Sequence, residues 1–328
     1  MLIKTLFNKQ AIVTFGLGLL VGISVHWMAS YSKPDTNYTG PLREKTSYKL
    51  IQPLLACQIS NNKNFRKESV VEDGIQSVVD NIHHLGLAKD VSVYFQNFNN
   101  GHWTGVNEDE LYAPASLNKV SLLIAFLKQA EVNPSILDQK VKFAGAINPR
   151  TNDAEFVPMI KGQTYSVKDL LSRLIIYSDN DAKDYLHQLI DQNYVNDIFT
   201  DLGLSAPILN DVGDTLSAKS YSLFFRTLYN STYLNQYMSE AALELLSRTN
   251  FDQGLMAGLP ATTTVAHKFG HRTVAPPMGG ITEELHDCGI VYKPNNPYFV
   301  CVMTKGWNLS DLESAIKMVS KKIYDNVQ

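Results

Sequence analysis

The amino-acid sequence predicts an α/β fold of the α+β type. It should hold an antiparallel sheet of about five strands, flanked by the terminal helices, with an inserted all-helical lobe. Three observations predict this fold: strand patterns lie toward both ends of the folded region, helical periodicity fills the middle, and an amphipathic helix lies near each end. A cleft between a sheet and a separate helical lobe is a natural place for a binding or catalytic site.

The first folded elements are a helix and a hairpin. Apolar residues between positions 71 and 85 recur every three or four residues, and Gly86 follows as a C-terminal cap. Residues 91–98 are rich in β-branched and aromatic side chains, which predicts a strand. An Asn-Asn-Gly turn at residues 99–101 then leads into a pairing strand at residues 102–106.

Helical periodicity continues through the middle of the chain, and strand patterns return near its end. The helical segments are residues 120–127, 167–176, 218–229 and 240–246, and the later strands are residues 262–267, 288–292 and 298–303. A turn rich in proline and asparagine joins the last two strands. The final helix opens at Ser310, which with Glu313 predicts a capping box.

The first thirty residues differ from the rest and predict a membrane anchor. Lys4 and Lys9 precede an uncharged, mainly apolar run at residues 11–30, long enough to cross the roughly 30 Å hydrocarbon core of a bilayer. Lysines before the span and a large domain after it favour a single-pass protein whose domain lies outside the cytoplasm. The alternative is secretion after signal cleavage, which is disfavoured because Trp27 occupies the expected cleavage region.

The predicted organisation is an anchor at residues 1–30, a polar linker stalk at residues 31–46 and one folded domain at residues 47–328. A hydrophobic content of 45% supplies enough apolar material for a sizeable core. The formal net charge is −3, and acidic and basic residues are interspersed, so nothing suggests a nucleic-acid partner. We expect a monomer.

The cysteines and histidines predict neither a disulfide framework nor a metal site. Cys57, Cys288 and Cys301 are few, and their spacing fits no metal motif. Cys288 and Cys301 flank a predicted hairpin and could face each other, but pairing needs favourable geometry, so we expect buried free thiols. The histidines include no pair at metal-ligand spacing, and no cofactor or metal is expected.

Ser116 and Lys119 are the first candidates for catalysis. A serine hydroxyl needs a base, and a lysine one helical turn later can supply one when the serine opens a helix. This S-x-x-K pattern occurs four times, beginning at Ser30, Ser60, Ser116 and Ser314. Only the third has the right context, since it follows Ala113-Pro114-Ala115 and precedes a buried helical run. The alternative is a serine N-cap with an incidental lysine.

Two later motifs favour catalysis. Ser178-Asp179-Asn180 follows a helical segment, and Lys268-Phe269-Gly270 lies at the end of a predicted strand. In order, spacing and context the three motifs resemble S-x-x-K, S-D-N and K-[ST]-G of the class A β-lactamases and the related penicillin-binding proteins. The resemblance extends from about residue 48 to the C-terminus. It implies a β-lactamase/transpeptidase-like fold.

The resemblance also implies a role for each matching residue. Ser116 attacks the substrate carbonyl, Lys119 takes its proton, and Ser178 relays a proton to the leaving nitrogen. Asn180 binds the substrate's side-chain amide, and Lys268 adds positive charge near Ser178 and the substrate carboxylate. Asp179 is a structural residue of the turn. Gly270 and His271 form a substrate-binding strand edge. The backbone N–H groups of Ser116 and His271 form the oxyanion hole.

The sequence departs from this pattern at two positions. Phe269 replaces the hydroxyl residue that binds the substrate carboxylate, and His271 or Arg272 could take over that role. Equally, Arg272 could be an exposed charge at a strand end. Ala206 stands where class A enzymes carry the glutamate that activates the deacylating water, and an alanine cannot act as a base. Asp211 and Asp214 are the candidates to substitute for it.

The expected function is therefore acyl-enzyme hydrolysis of β-lactam or D-Ala-D-Ala-like amide bonds, with slow deacylation of β-lactams. The alternatives are a penicillin-binding D,D-peptidase, a receptor that is acylated without turnover, and an inactive scaffold. The short N-terminal segment disfavours a signalling receptor. Retention of the serine and lysine motifs disfavours the scaffold.

Overall fold

The computed structural model describes residues 42–56, 69–148, 158–205, 215–275 and 280–327. The predicted anchor at residues 11–30, Cys57, and the segment with Ala206, Asp211 and Asp214 lie outside these ranges. From residue 42 onward the described chain forms one compact unit. Within these ranges, no helix combines the length and apolar character that crossing a bilayer requires.

The predicted helices and strands occur in the predicted order, and the described chain adds four short strands near residues 42, 54, 140 and 164. The strands are β1 (Leu42–Arg43), β2 (Leu54–Ala56), β3 (Asp90–Asn97), β4 (Trp103–Val106), β5 (Lys140–Lys142), β6 (Thr164–Ser166), β7 (Val265–Val274), β8 (Thr282–Val291) and β9 (Tyr298–Gly306). The helices are α1 (Ser69–His84), α2 (Lys119–Val132), α3 (Val167–Ile176), α4 (Asn180–His187), α5 (Gln192–Asp201), α6 (Ala218–Asn230), α7 (Gln236–Leu246) and α8 (Leu309–Asn326).

A five-stranded antiparallel sheet joins the two ends of the domain, as predicted. Its strand order is β4-β3-β9-β8-β7, so strands close to the N-terminus pair directly with the last strand. The two hairpins β3–β4 and β8–β9 supply local pairs, and the β3–β9 ladder closes the sheet over a long sequence separation. Strand β7 pairs only with β8 among the described strands and forms one edge of this sheet.

Alternate side chains of each central strand pack into two different cores. On β9, Val300 and Val302 face the terminal helices and pack with Ile75 of α1 and Ile316 of α8. The intervening residues, including Cys301, face the helical lobe. This period of two places the first and last helices on one face of the sheet and the lobe on the other, which confirms the predicted α+β architecture.

Three local predictions need correction. β7 extends to Val274, so Lys268 lies within the strand rather than at its end. The cap of α8 is Asn308, whose side chain accepts a hydrogen bond from the backbone N–H of Ser310, instead of a Ser310–Glu313 capping box. Asparagine at the N-cap satisfies one of the unpaired N–H groups at the start of a helix as well as serine does.

The third correction concerns the cysteines. Cys288 and Cys301 form a disulfide and are not free thiols. The antiparallel register of β8 and β9 pairs these two residues directly across the ladder, and both side chains point into the buried core of the lobe. Neighbouring strands bring directly opposed side chains close together, and this geometry depends on a register that cysteine spacing alone does not fix.

Candidate active site

Ser116 lies in a short turn that leads into a buried helix. The turn is the 3₁₀ segment Ala115–Asn118, and α2 follows it immediately. Ala115, directly before the serine, has a left-handed backbone with φ of 49°. Non-glycine residues adopt this conformation rarely and at a cost, which surrounding contacts must offset, and such residues concentrate at functional sites.

Contacts from two elements fix this turn in place. The hydroxyl of Tyr221 on α6 donates to the carbonyl oxygen of Leu117 at 3.0 Å, and both side chains are buried. His286 on β8 forms a 3.0 Å hydrogen bond between Nε2 and the carbonyl oxygen of Ala113. The serine is therefore held between the helical lobe and the sheet.

The amine of Lys119 contacts the S-D-N turn at three atoms. Nζ lies 2.5 Å from the carbonyl oxygen of Ser178, 3.1 Å from the hydroxyl oxygen of Ser178 and 2.9 Å from Oδ1 of Asn180. The Lys119 side chain is buried, at 3% exposure. The first and second motifs, which are far apart in sequence, thus meet around one buried nitrogen.

One of these three neighbours can exchange a proton with the amine. Nζ donates to all three oxygen atoms. The carbonyl oxygens of Ser178 and Asn180 can only accept. The Ser178 hydroxyl can donate as well as accept, so a proton can pass between it and Lys119.

The S-D-N turn is held by its middle residue, as predicted. Oδ1 of Asp179 accepts from the backbone N–H groups of Asp181 and Ala182 and so caps α4. Oδ2 accepts from Nε of Arg173 at 2.7 Å, and the Asp179 side chain is fully buried. Ser178 has a left-handed backbone with φ of 54°, and these bonds to its neighbour offset the cost of that conformation.

Strand β7 runs directly beside the nucleophile turn. A methyl group placed on Gly270 would lie 2.7 Å from the carbonyl oxygen of Pro114 and 3.2 Å from the backbone nitrogens of Ser116 and Leu117. Only glycine permits an approach this close. The third motif is thereby brought against the first, and His271 follows at the same strand edge.

The amine of Lys268 has fewer polar neighbours than the amine of Lys119. Its side chain is fully buried, Nζ donates to the carbonyl oxygen of Phe269 at 2.9 Å, and Nζ lies 4.1 Å from the centre of the Phe269 ring. Burial lowers the pKa of Lys268 to about 7, against a smaller opposing effect from the Asp287 carboxylate. Within the described ranges no hydrogen bond joins Lys268 to Ser178, although the family pattern implies charge near that serine.

After Lys268, strand β7 carries an aromatic residue, Phe269, and then two basic residues, His271 and Arg272. Phe269 stacks on Phe251, with ring centres 4.3 Å apart and planes inclined by 23°. His271 Nε2 lies 2.9 Å from Oε2 of Glu283 on β8. Arg272 Nε lies 3.9 Å from Oε2 of Glu284, so the guanidinium is paired within the sheet.

Four residues that shape the site are not identified by the sequence motifs: Phe251, Glu283, Glu284 and His286. They belong to no motif and reach the site through the register of β7 with β8 or through a loop. His286 is the most informative. Burial lowers its pKa to about 4, and its Nδ1 accepts from the backbone N–H of Thr304, so the ring is neutral and donates from Nε2. It holds the segment that leads to Ser116.

The chain is similar to known proteins in both sequence and structure. A sequence profile of the beta-lactamase enzyme family matches residues 72–327. Among solved structures, PBP-A is 22% identical with a TM-score of 0.67, covering 80% of this chain and 97% of that chain. A variant of PBP-A in an acyl-enzyme complex with penicillin G is 21% identical with a TM-score of 0.66, covering 80% and 98%.

A third solved structure extends the likeness to a named hydrolase. The β-lactamase from Chitinophaga pinensis is 21% identical with a TM-score of 0.67, covering 77% of this chain and 98% of that chain. At these identities the structures establish the fold. A search of curated protein sequences found no match.

Proposed function

The chain belongs to the beta-lactamase enzyme family, and on that premise we propose that it forms a covalent acyl-enzyme on Ser116. It is a serine hydrolase of the β-lactamase type. The substrates that we propose are β-lactams or D-Ala-D-Ala-like peptides of the peptidoglycan type. The contact between Lys119 and the Ser178 hydroxyl carries this proposal, because it supplies a path for the proton that acyl transfer must move.

The proposed acylation moves one proton along named atoms. The Ser116 hydroxyl oxygen attacks the carbonyl carbon, and its proton passes to the lone pair of Lys119 Nζ. The carbon–nitrogen bond then breaks, and Ser178 passes a proton from Lys119 to the leaving nitrogen across the 3.1 Å contact. The backbone N–H groups of Ser116 and His271 would stabilise the oxyanion, and such a donor is typically worth about 2.7–4 kcal/mol. Asn180 would also bind the substrate's side-chain amide.

Deacylation is proposed to be slow for β-lactams. Hydrolysis of the ester requires a group that accepts a proton from water, and the alanine at position 206 cannot do so. Lys119 with Ser178 remains as the base for both steps, the arrangement of a penicillin-binding D,D-peptidase. The absence of this glutamate favours the peptidase as the second candidate function.

The test follows the adduct by intact mass. The full chain in detergent is incubated with a fluorescent penicillin, and the mass is recorded over time beside a Ser116→Ala control. A stable Ser116-dependent adduct is the expected result, and a peptidase assay then separates the D,D-peptidase from a receptor that is acylated without turnover. Turnover of penicillins or cephalosporins at about 1–10³ s⁻¹, the ordinary range for enzymes, contradicts slow deacylation. Absence of any adduct contradicts the proposed site.

A membrane location at the outer face belongs to the same proposal. It rests on the apolar run at residues 11–30 and the lysines that precede it. Fractionation of cells that express the full chain tests it. Sedimentation with membranes that resists high salt, together with access to external protease, is expected for an anchored domain. Release of a shortened chain into the medium or periplasm supports signal cleavage instead.

A further inference from the structure

The strand edge beyond Lys268 presents an aromatic surface where the family pattern places a hydroxyl for the substrate carboxylate. Phe269 occupies that position, is 7% exposed and stacks on the partly buried Phe251. A phenyl ring offers a carboxylate no hydrogen bond, and it removes water that would otherwise solvate the charge. A carboxylate buried without a donor is strongly disfavoured.

Each cation near this edge already has a partner. The amine of Lys268 is covered by the Phe269 ring and bonded to the Phe269 carbonyl oxygen. His271 is paired with Glu283, which also accepts from the Thr273 hydroxyl at 2.8 Å. To bind a substrate carboxylate, either cation would have to leave its partner.

Arg272 belongs to a small charged group on the sheet. Glu284 is buried and lies 3.9 Å from Arg272 and 3.6 Å from Lys305. No hydrogen bond joins Arg272 to Glu284, and the Arg272 side chain is 41% exposed, so this ion pair adds little free energy. Any positive charge that Arg272 offers a substrate is shared with the Glu284 carboxylate.

A second acidic group lies near His271 besides Glu283. Burial raises the pKa of the Glu313 carboxyl at the start of α8, and His271 opposes that shift more strongly than Asp252 reinforces it. His271 therefore interacts with two carboxyl groups, Glu283 and Glu313, and this environment disfavours a further negative charge.

Building on the proposed function, we propose that the enzyme prefers acyl substrates whose group beside Phe269 is uncharged or positively charged, such as an ester, amide or amine, rather than a carboxylate. The stacked ring accommodates an apolar or amide group. The neighbouring carboxylates favour a hydrogen-bond donor over an anion.

A matched pair of compounds tests this preference. Penicillin G and its methyl ester differ only at the carboxylate, and their second-order rate constants for Ser116 acylation are measured on the full chain by intact mass. We expect the ester to react at least about tenfold faster, because tenfold corresponds to only 1.4 kcal/mol of like-charge repulsion and lost hydrogen bonding. Equal rates, or a faster free acid, overturn the preference. No Ser116-dependent adduct with either compound contradicts the proposed function itself.

Variants at Phe269 assign the preference to its ring. Phe269→Thr restores the hydroxyl and should shift the rate ratio toward the free acid by about tenfold, whereas Phe269→Leu, the matched apolar control, should leave the ratio near that of the wild type. Equal ratios in the two variants contradict the role of this position. If Phe269→Thr does not fold, Glu283→Gln replaces it. Removal of that negative charge should raise the ratio of the free-acid rate to the ester rate several-fold, and an unchanged ratio counts against the proposal.

Discussion

Two lysines of the site, Lys119 and Lys268, are both buried, but their amines have different neighbours. Three oxygen atoms of Ser178 and Asn180 surround the amine of Lys119. The amine of Lys268 has one carbonyl oxygen and the face of an aromatic ring. The comparison teaches that a motif specifies a residue type, whereas the neighbours decide whether its amine lies among oxygen atoms or against an aromatic ring.

The difference also has an origin in secondary structure. Lys119 begins α2 and projects toward the turn that precedes α4, where the carbonyl oxygen and hydroxyl of Ser178 accept from its amine. Lys268 lies within the edge strand β7, and its amine donates to the carbonyl oxygen of the next residue, Phe269. The turn before a helix supplies more polar neighbours here than the strand does.

The largest effect is expected from removal of the Lys119 amine. Lys119→Met should lower the rate of Ser116 acylation by about 10³-fold, because general-base catalysis contributes about 10²–10⁴-fold. The measurement is the second-order rate of adduct formation with a fluorescent penicillin. Lys128→Met on the same helix, where the amine bonds Glu131 and the Tyr233 carbonyl oxygen, is the control and should stay within about twofold. A Lys119 variant that acylates at the wild-type rate breaks the comparison.

The stability of the S-D-N turn, which contacts Lys119, should depend on Asp179. Asp179→Ala should lower the free energy of unfolding by about 3–5 kcal/mol, because it removes a helix cap and the 2.7 Å ion pair with the part-buried Arg173. Urea denaturation measures this loss.

Asp191 is the matched control for that experiment. It caps α5 from an exposed position, so Asp191→Ala should cost only about 0.5–2 kcal/mol. Similar losses in the two variants show that the Arg173 contact adds nothing to the cap.

The contribution of the buried Lys268 amine to the free energy of unfolding should depend on pH. The pKa of Lys268 is about 7 in the folded protein and 10.5 as its ordinary value, so the unfolded chain binds more protons in this window. Stability from this group is therefore fullest above 10.5 and falls as the pH drops toward 7, by up to about 1.4 kcal/mol per pH unit. Urea denaturation between about pH 7 and pH 9.5 should show this slope in the wild type and a flatter one in Lys268→Met. Identical slopes mean that the amine is not desolvated.

The smallest effect is expected at His286, over a narrower window. Its pKa is about 4 when folded and 6.5 ordinarily, so the stability from the neutral ring is complete above 6.5 and is lost as the pH falls toward 4. The slope is again at most about 1.4 kcal/mol per pH unit. His286→Asn keeps a donor for Ala113 but does not titrate, so its acid-side slope should be reduced. An unchanged slope indicates that another group governs acid unfolding.

Much of the fold follows from local pattern. The helix at Val167–Ile176 and the cap at Gly86, with φ of 68°, follow from apolar spacing and glycine's tolerance of positive φ. The roles of Asp179 and of the β3–β4 hairpin were also predicted correctly. The α8 cap was assigned to Ser310 because serine and glutamate fit the capping pattern, although Asn308, two residues earlier, is an equally good cap.

The site residues outside the motifs could not be predicted in the same way. Glu283 and Glu284 reach His271 and Arg272 across a ladder whose register no local pattern fixes. Phe251 reaches Phe269 from a loop, where composition carries little geometric information.

By itself, the sequence determined the elements, their order and the three motifs, because helix and strand periodicities act over a few neighbouring residues. Only the tertiary structure decided that Lys119 meets Ser178, that Cys288 bonds Cys301, and that Phe269 covers Lys268. These contacts depend on strand register and on the packing of elements distant along the chain. Both are set by burial of the whole core rather than by any single segment.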